Sequence, residues 1–127
     1  MQKCLKIIRK RNKRLNNTYM LKQVKKLLWW LLAGTSGGLS RGKIIDVISK
    51  KPMNANEIAD ELHLDYKTVR HHLDVLRKNN LITTMGSGYG KMYFPSEILE
   101  DNMKYFYEIW DEIGKNKKKD ENNEVKK

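Results

Sequence analysis

The sequence predicts a mainly α-helical fold with one small β-hairpin and an added helix at each end. Two observations predict it. Residues 54–76 hold two short amphipathic segments separated by a tight turn, and a glycine-rich pair of β-prone runs follows at once over 81–94. Two such helices before a hairpin make a winged helix-turn-helix.

The elements follow in chain order. Residues 1–17 form a basic arm. Residues 1–30 hold ten basic residues and no acidic one, although the whole chain carries a net charge of +11. Residues 31–114 hold ten basic and twelve acidic residues, so the central domain does not attract polyanions by bulk charge. The arm admits three readings. Lys6 to Arg14 can lie along phosphates and make binding fall steeply with salt. Leu5, Ile7, Ile8 and Leu15 among the cations suit a membrane headgroup layer or a partner. The third is a solvated tail. The apolar run Leu27–Ala33 is seven residues, far short of the ~20 that span a bilayer.

Val24, Leu27, Leu28 and Leu31 repeat at three-to-four spacing and predict a helix over 18–33. Trp29 and Trp30 are expected in the core or at an interface. The stretch from Gly37 to Lys43 fits G-x-x-x-x-G-K, the start of a phosphate-binding loop. Ile44 stands where a hydroxyl should hold magnesium, and no parallel sheet follows. A linker is expected instead, with Ser40 capping a helix through Lys50 that buries Ile44, Ile45 and Ile48.

Asn54 and Glu57 form a capping-box pair, and Ile58 and Leu62 share a face. Ala59 allows the two helices to cross closely. His63 occupies the turn where glycine is common, and histidine tolerates left-handed backbone better than most residues. Asp65 caps the second helix, whose Val69, Leu73 and Leu76 face inward. That leaves Lys67, Arg70, His71 and Asp74 outward. The hairpin pairs 81–85 with 91–94 across Gly86, Ser87, Gly88, Tyr89 and Gly90, and Pro95 ends it. Tyr93 or Met92 is expected inside.

Residues 96–114 are expected as one helix, capped by Ser96 and ended by Gly114. Leu99, Met103, Phe106, Trp110 and Ile113 follow 4-3-4-3 spacing, one seam that a twin helix from a second subunit would cover. Packing against the N-terminal helix of the same chain is the alternative. Residues 115–127 are expected as a charged, disordered tail.

From Trp29 to Pro95 the chain resembles the archaeal winged helix-turn-helix transcriptional regulators of the ArsR-like class. The residues that carry this are Trp30, Leu32 to Thr35, Gly37, Gly38, Arg41, Ile44 and Ile45, then Asn54 to Ala59, Leu64 to Leu76, and Tyr89 to Phe94. The resemblance implies a homodimeric, sequence-specific DNA-binding regulator. Metal-sensing members of the wider class carry cysteines at the start of the recognition helix, where this chain has Leu62-His63-Leu64-Asp65. The single Cys4 excludes an internal disulfide and a cysteine-cluster zinc site. His71 and His72 diverge by ~100° on their helix and do not readily share an ion.

The expected function is a regulator that sets the second helix in the major groove of duplex DNA. Lys67, Thr68, Arg70 and His71 approach base edges, and Tyr66 meets backbone or a thymine methyl. Arg77, Ser87, Tyr89 and Lys91 complete the DNA-binding set. No enzyme activity, cofactor, metal or small-molecule substrate is expected, and the cytoplasm is the expected location. The alternatives are a winged-helix module that docks protein, or a membrane-surface regulator that uses the arm.

Overall fold

A computed structural model describes residues 22–125, with side chains described to Lys115. The arm 1–17 lies outside the described residues. Helix α1 covers 22–33, with Val24, Leu28, Leu31 and Leu32 buried. Helix α2 (Gly38–Lys50) buries Ile44, Ile45 and Ile48. A two-residue strand β1 (Met53–Asn54) leads into α3 (Ala55–Leu62) and α4 (Tyr66–Lys78). Strands β2 (Ile82–Met85) and β3 (Met92–Pro95) form the hairpin, and α5 (Glu97–Asp101) and α6 (Met103–Val125) close the described chain. The architecture is a mostly helical winged helix-turn-helix with a three-stranded antiparallel sheet.

The sheet order is β1-β3-β2. β3 pairs Tyr93 with both Met53 and Thr84, and Tyr93 is its buried residue. The third strand is a departure from the expected two. Met53 and Asn54 supply too short a run to signal a strand, and only the open edge of β3 makes them one.

The local signals between 54 and 78 act as their chemistry requires. The amide of Glu57 donates to Asn54 Oδ1 at 2.8 Å, and the amide of Asn54 donates to Glu57 Oε1 at 3.4 Å, a reciprocal cap. His63 sits at φ 54° and ψ 42°, left-handed backbone. There the amide of Leu64 reaches the carbonyl of Ala59 at 3.0 Å, which closes α3. Asp65 Oδ2 accepts from the amides of Lys67 (3.1 Å) and Thr68 (3.3 Å) at the start of α4. Val69, Leu73 and Leu76 are fully buried, against Ile58 and Ala59 of α3 and Ile44, Ile45 and Ile48 of α2 in one core.

Two helix boundaries differ from expectation. α2 starts at Gly38, with Gly37 rather than Ser40 at its cap and no side chain capping it. Any carbon added to Gly38 would overlap the carbonyl oxygen of Leu32, so the end of α1 and the start of α2 meet where only glycine fits. At the other end, α6 continues through Gly114 to Val125. A glycine costs a helix interior only about 1 kcal/mol relative to alanine, and no proline follows to stop it. The expected boundary at 114 and the start of the tail at 115 are thus corrected.

The helix expected over 96–114 is broken at Asn102. Its Nδ2 donates to the carbonyl of Ile98 at 2.7 Å, and its own carbonyl accepts from the amides of Tyr105 and Phe106. Asn102 therefore ends α5 and starts α6, with its Oδ1 buried and unpaired. The seam is largely spent within the protomer. Leu99 and Phe106 are fully buried in the same core as Leu28 and Leu31 of α1, which corrects their place at a dimer interface. Met103, Trp110 and Ile113 stay half-buried. Trp29 and Trp30, expected in the core or at an interface, are 53% and 58% exposed, because α1 turns Val24, Leu28 and Leu31 inward.

Candidate nucleic-acid interface

The exposed face of α4 is built from its first two turns. Lys67, Thr68 and His71 are exposed, while Tyr66 and Arg70 are half-buried. Tyr66 packs on the core edge. Its hydroxyl accepts from Arg70 Nη1 at 3.3 Å, and the guanidinium carbon lies 6.0 Å from its ring centre. Spacing of four puts the two side chains one above the other on the helix. Arg70 is expected on the outward face. It lies along Tyr66, with its Nε closed from solvent and unpaired. The Tyr66 hydrogen bond raises the Arg70 pKa above its ordinary value, helped by the nearby Tyr93 and Tyr66 phenols and Asp74. Burial pushes the Tyr93 phenol upward, against the pull of the Arg70 charge. Arg70 thus stays a cation, with one arm of its fork on the Tyr66 hydroxyl.

Arg77 and Lys78 are exposed in the last turn of α4, where cations also favour the helix C-terminus. The hairpin tip projects: every residue from Met85 to Gly90 is exposed, and Lys91 behind it is half-buried. Gly86 (φ 91°) and Gly88 (φ 63°) supply the two positive angles, and a single 3-10 turn, Gly88–Gly90, carries Tyr89 at 79% exposure. Ser87, Tyr89 and Met85 therefore meet any surface that approaches the wing. Met85, at 69% exposure on the wing, was not expected there. Alternation along β2 places it opposite buried Ile82, a signal available in the sequence.

One cluster beneath this face also escaped the sequence. Arg41 and His72 are 6% and 7% exposed and face each other, with Arg41 Nη1 and His72 Nδ1 3.4 Å apart. Arg41 Nε donates to the carbonyl of Leu31 at 3.0 Å, and Nη2 donates to the hydroxyl of Thr35. The same hydroxyl donates to the Leu31 carbonyl at 3.1 Å. Burial lowers the pKa of His72, and the charges of Arg41 and His71 lower it further. His72 is thus a neutral acceptor toward Arg41. It lies in the core, whereas its neighbour His71 is on the surface.

The glycines of the apparent phosphate loop have packing roles. A carbon on Gly37 would come within 2.8 Å of His72 Cε1 and 2.9 Å of Arg41 Nη1, and one on Gly42 would enter the Trp110 ring. Among the described residues no group of three His, Cys, Asp or Glu is placed to hold a metal ion, and no helix is long and apolar enough to cross a membrane.

Residues 40–84 match the family model described as bacterial regulatory protein, arsR family. In this stretch the chain is similar to the helix-turn-helix domain of that family. The matched segment runs from within α2 to Thr84 in β2 and contains the face described above except Met85, the wing tip and β3. No curated protein matches the chain. Solved structures share the fold at low identity. The transcriptional regulator HlyU from Vibrio vulnificus is 19% identical, with a TM-score of 0.55, over 78% of this chain and 98% of that one. A probable transcriptional regulator from Pseudomonas aeruginosa is 14% identical, with a TM-score of 0.57, over 78% and 77%. The homodimeric winged helix-turn-helix DNA-binding domain of Mb0332 from Mycobacterium bovis is 15% identical, with a TM-score of 0.50, over 78% and 80%.

Proposed function

We propose that this DNA-binding transcriptional regulator reads duplex sequence with α4 in the major groove and rests its wing on the adjacent backbone. The observation that carries it is the exposure of Lys67, Thr68 and His71 on the capped first two turns of α4. In helix-turn-helix proteins the N-terminal residues of the recognition helix reach base edges. Arg70, oriented on Tyr66, presents its remaining donors to a guanine or a phosphate. Tyr66 then acts through Arg70 as much as by its own contact. Arg77, Ser87, Tyr89 and Lys91 hold phosphate and sugar.

The working unit is a homodimer joined through α1 and α6. Trp29 on α1 lines a shallow groove with Glu108, Ile109, Asp111, Glu112 and Lys115 of α6, and Tyr107 is 39% exposed on the same helix. Trp29 sets exposed aromatic surface beside this groove, a face suited to a second copy. Two-fold symmetry then sets two half-sites about one helical turn apart, ~10 base pairs between centres. The arm 1–17 adds phosphate contacts.

Selection of bound duplexes from a random pool tests the whole reading. Enrichment of an inverted repeat, with affinity that falls steeply in salt, is the expected result. A pool that stays random would show the winged domain docking something other than a DNA sequence.

A further inference from the structure

Arg41 is a cation with almost no access to solvent, and its partners among the described residues are all neutral. An unpaired buried charge is costly. This one is placed where a helix supplies the counter-charge. The carbonyl of Leu31 belongs to the last turn of α1, where unsatisfied oxygens carry partial negative charge. Arg41 Nε and the Thr35 hydroxyl both donate to that oxygen. The other arm of the guanidinium reaches His72, on the inner side of α4 and next in sequence to the exposed His71. A single planar group therefore ties the end of α1 to the recognition helix, through a gap that Gly37 keeps open.

We propose that Arg41 and His72 are positioning residues for DNA recognition, a latch that sets α4 relative to α1. The inference rests on the reading of α4 as the recognition helix. The latch is directional by chemistry. Leu31 and Thr35 offer acceptors, and His72 offers Nδ1 as an acceptor while it is neutral. Only a forked cation bonds all three at once, and a lysine ammonium at the same place cannot span them in one plane. Displacement of the end of α1 is thereby passed to the helix that carries Lys67, Thr68 and His71.

The test uses the full chain and the duplex it selects from a random pool, with a scrambled duplex beside it. Arg41→Lys, His72→Leu and His72→Gln are compared with the parent by duplex affinity, thermal melting and amide exchange over residues 66–72 without DNA. Arg41→Lys and His72→Leu are expected to bind the selected duplex about tenfold or more weakly, to hold their affinity for the scrambled one, and to exchange faster over 66–72. His72→Gln keeps an acceptor for Arg41 and is expected to stay near the parent in all three. Full affinity in both Arg41→Lys and His72→Leu overturns the latch. So does a loss in His72→Gln as large as in His72→Leu, or a loss confined to melting temperature. If one variant fails to fold, the other two still decide. A parent chain that selects no duplex sinks the recognition reading instead, whereas unchanged exchange over 66–72 sinks the latch with or without DNA.

Discussion

Gly42 lies beneath the indole of Trp110, too close for any side chain to come between. The indole is also stacked on Phe106, 6.0 Å between centres and 14° from parallel. This contact seats α6 on α2. Gly42→Ala is expected to lose about 1–3 kcal/mol of stability by overpacking, although alanine is the better helix former. Gly114, with open space around it, is the control. Gly114→Ala is expected to gain up to about 1 kcal/mol. Thermal melts of the two variants check both signs, and equal shifts would refute the Trp110 contact.

Arg70→Ala is expected to weaken binding of the selected duplex by about 1–3 kcal/mol and to relax preference at one base position. Glu100→Ala, exposed on α5, sets the baseline. Tyr66→Phe removes the hydroxyl that orients Arg70 and is expected to cost part of the same specificity without touching a base. Gel-shift titrations on matched and single-mismatch duplexes resolve these outcomes. An Arg70→Ala loss no greater than that of Glu100→Ala would take Arg70 off the reading face.

Stability should fall in mild acid through His72. Its pKa is below the ordinary 6.5 in the fold, so the unfolded chain takes up a proton first as pH falls. The neutral form's contribution is whole above about 6.5 and is lost as pH drops from there toward the lowered folded value. His72→Gln is expected to flatten that part of the melting-temperature profile. A steep slope surviving in His72→Gln would assign it to another group.

The turn between α3 and α4 carries a small strain that glycine would relieve. His63 has a left-handed backbone, which a side chain resists by roughly 1 kcal/mol. His63→Gly is expected to raise the melting temperature by a few degrees. A fall would mean that the exposed imidazole makes a contact of value elsewhere.

In the proposed dimer, Trp29→Glu is expected to shift the chain toward monomer in sedimentation while its helical content stays. A charge there would face Glu108 and Glu112 along α6. Unchanged mass would move the interface to another face.

The helix-turn-helix was legible because its signals are local. Asn54 with Glu57, Asp65 with the next amides, and the inward spacing of Val69, Leu73 and Leu76 each act within a few residues. The wing was legible for the same reason, since Gly86 and Gly88 need positive φ only of themselves. What escaped depends on contacts distant in sequence. β1 exists only by pairing with β3. The Arg41–His72 pair joins residues 31 apart, and an arginine in an amphipathic helix reads as solvent-facing until a carbonyl is found for it. Leu99 and Phe106 looked available for a partner because spacing shows a seam, not what fills it. The chain's own α1 and α2 fill it.

Asn54 holds two offices in this fold, as a rung of the sheet opposite Met92 and as the cap of α3. The hairpin and the helix pair are therefore joined with no intervening slack. A body built this way meets its target in one motion, with little internal freedom left to surrender on docking. Its dissociation should then follow a single exponential, without a stage in which the hairpin lifts while the helix stays seated.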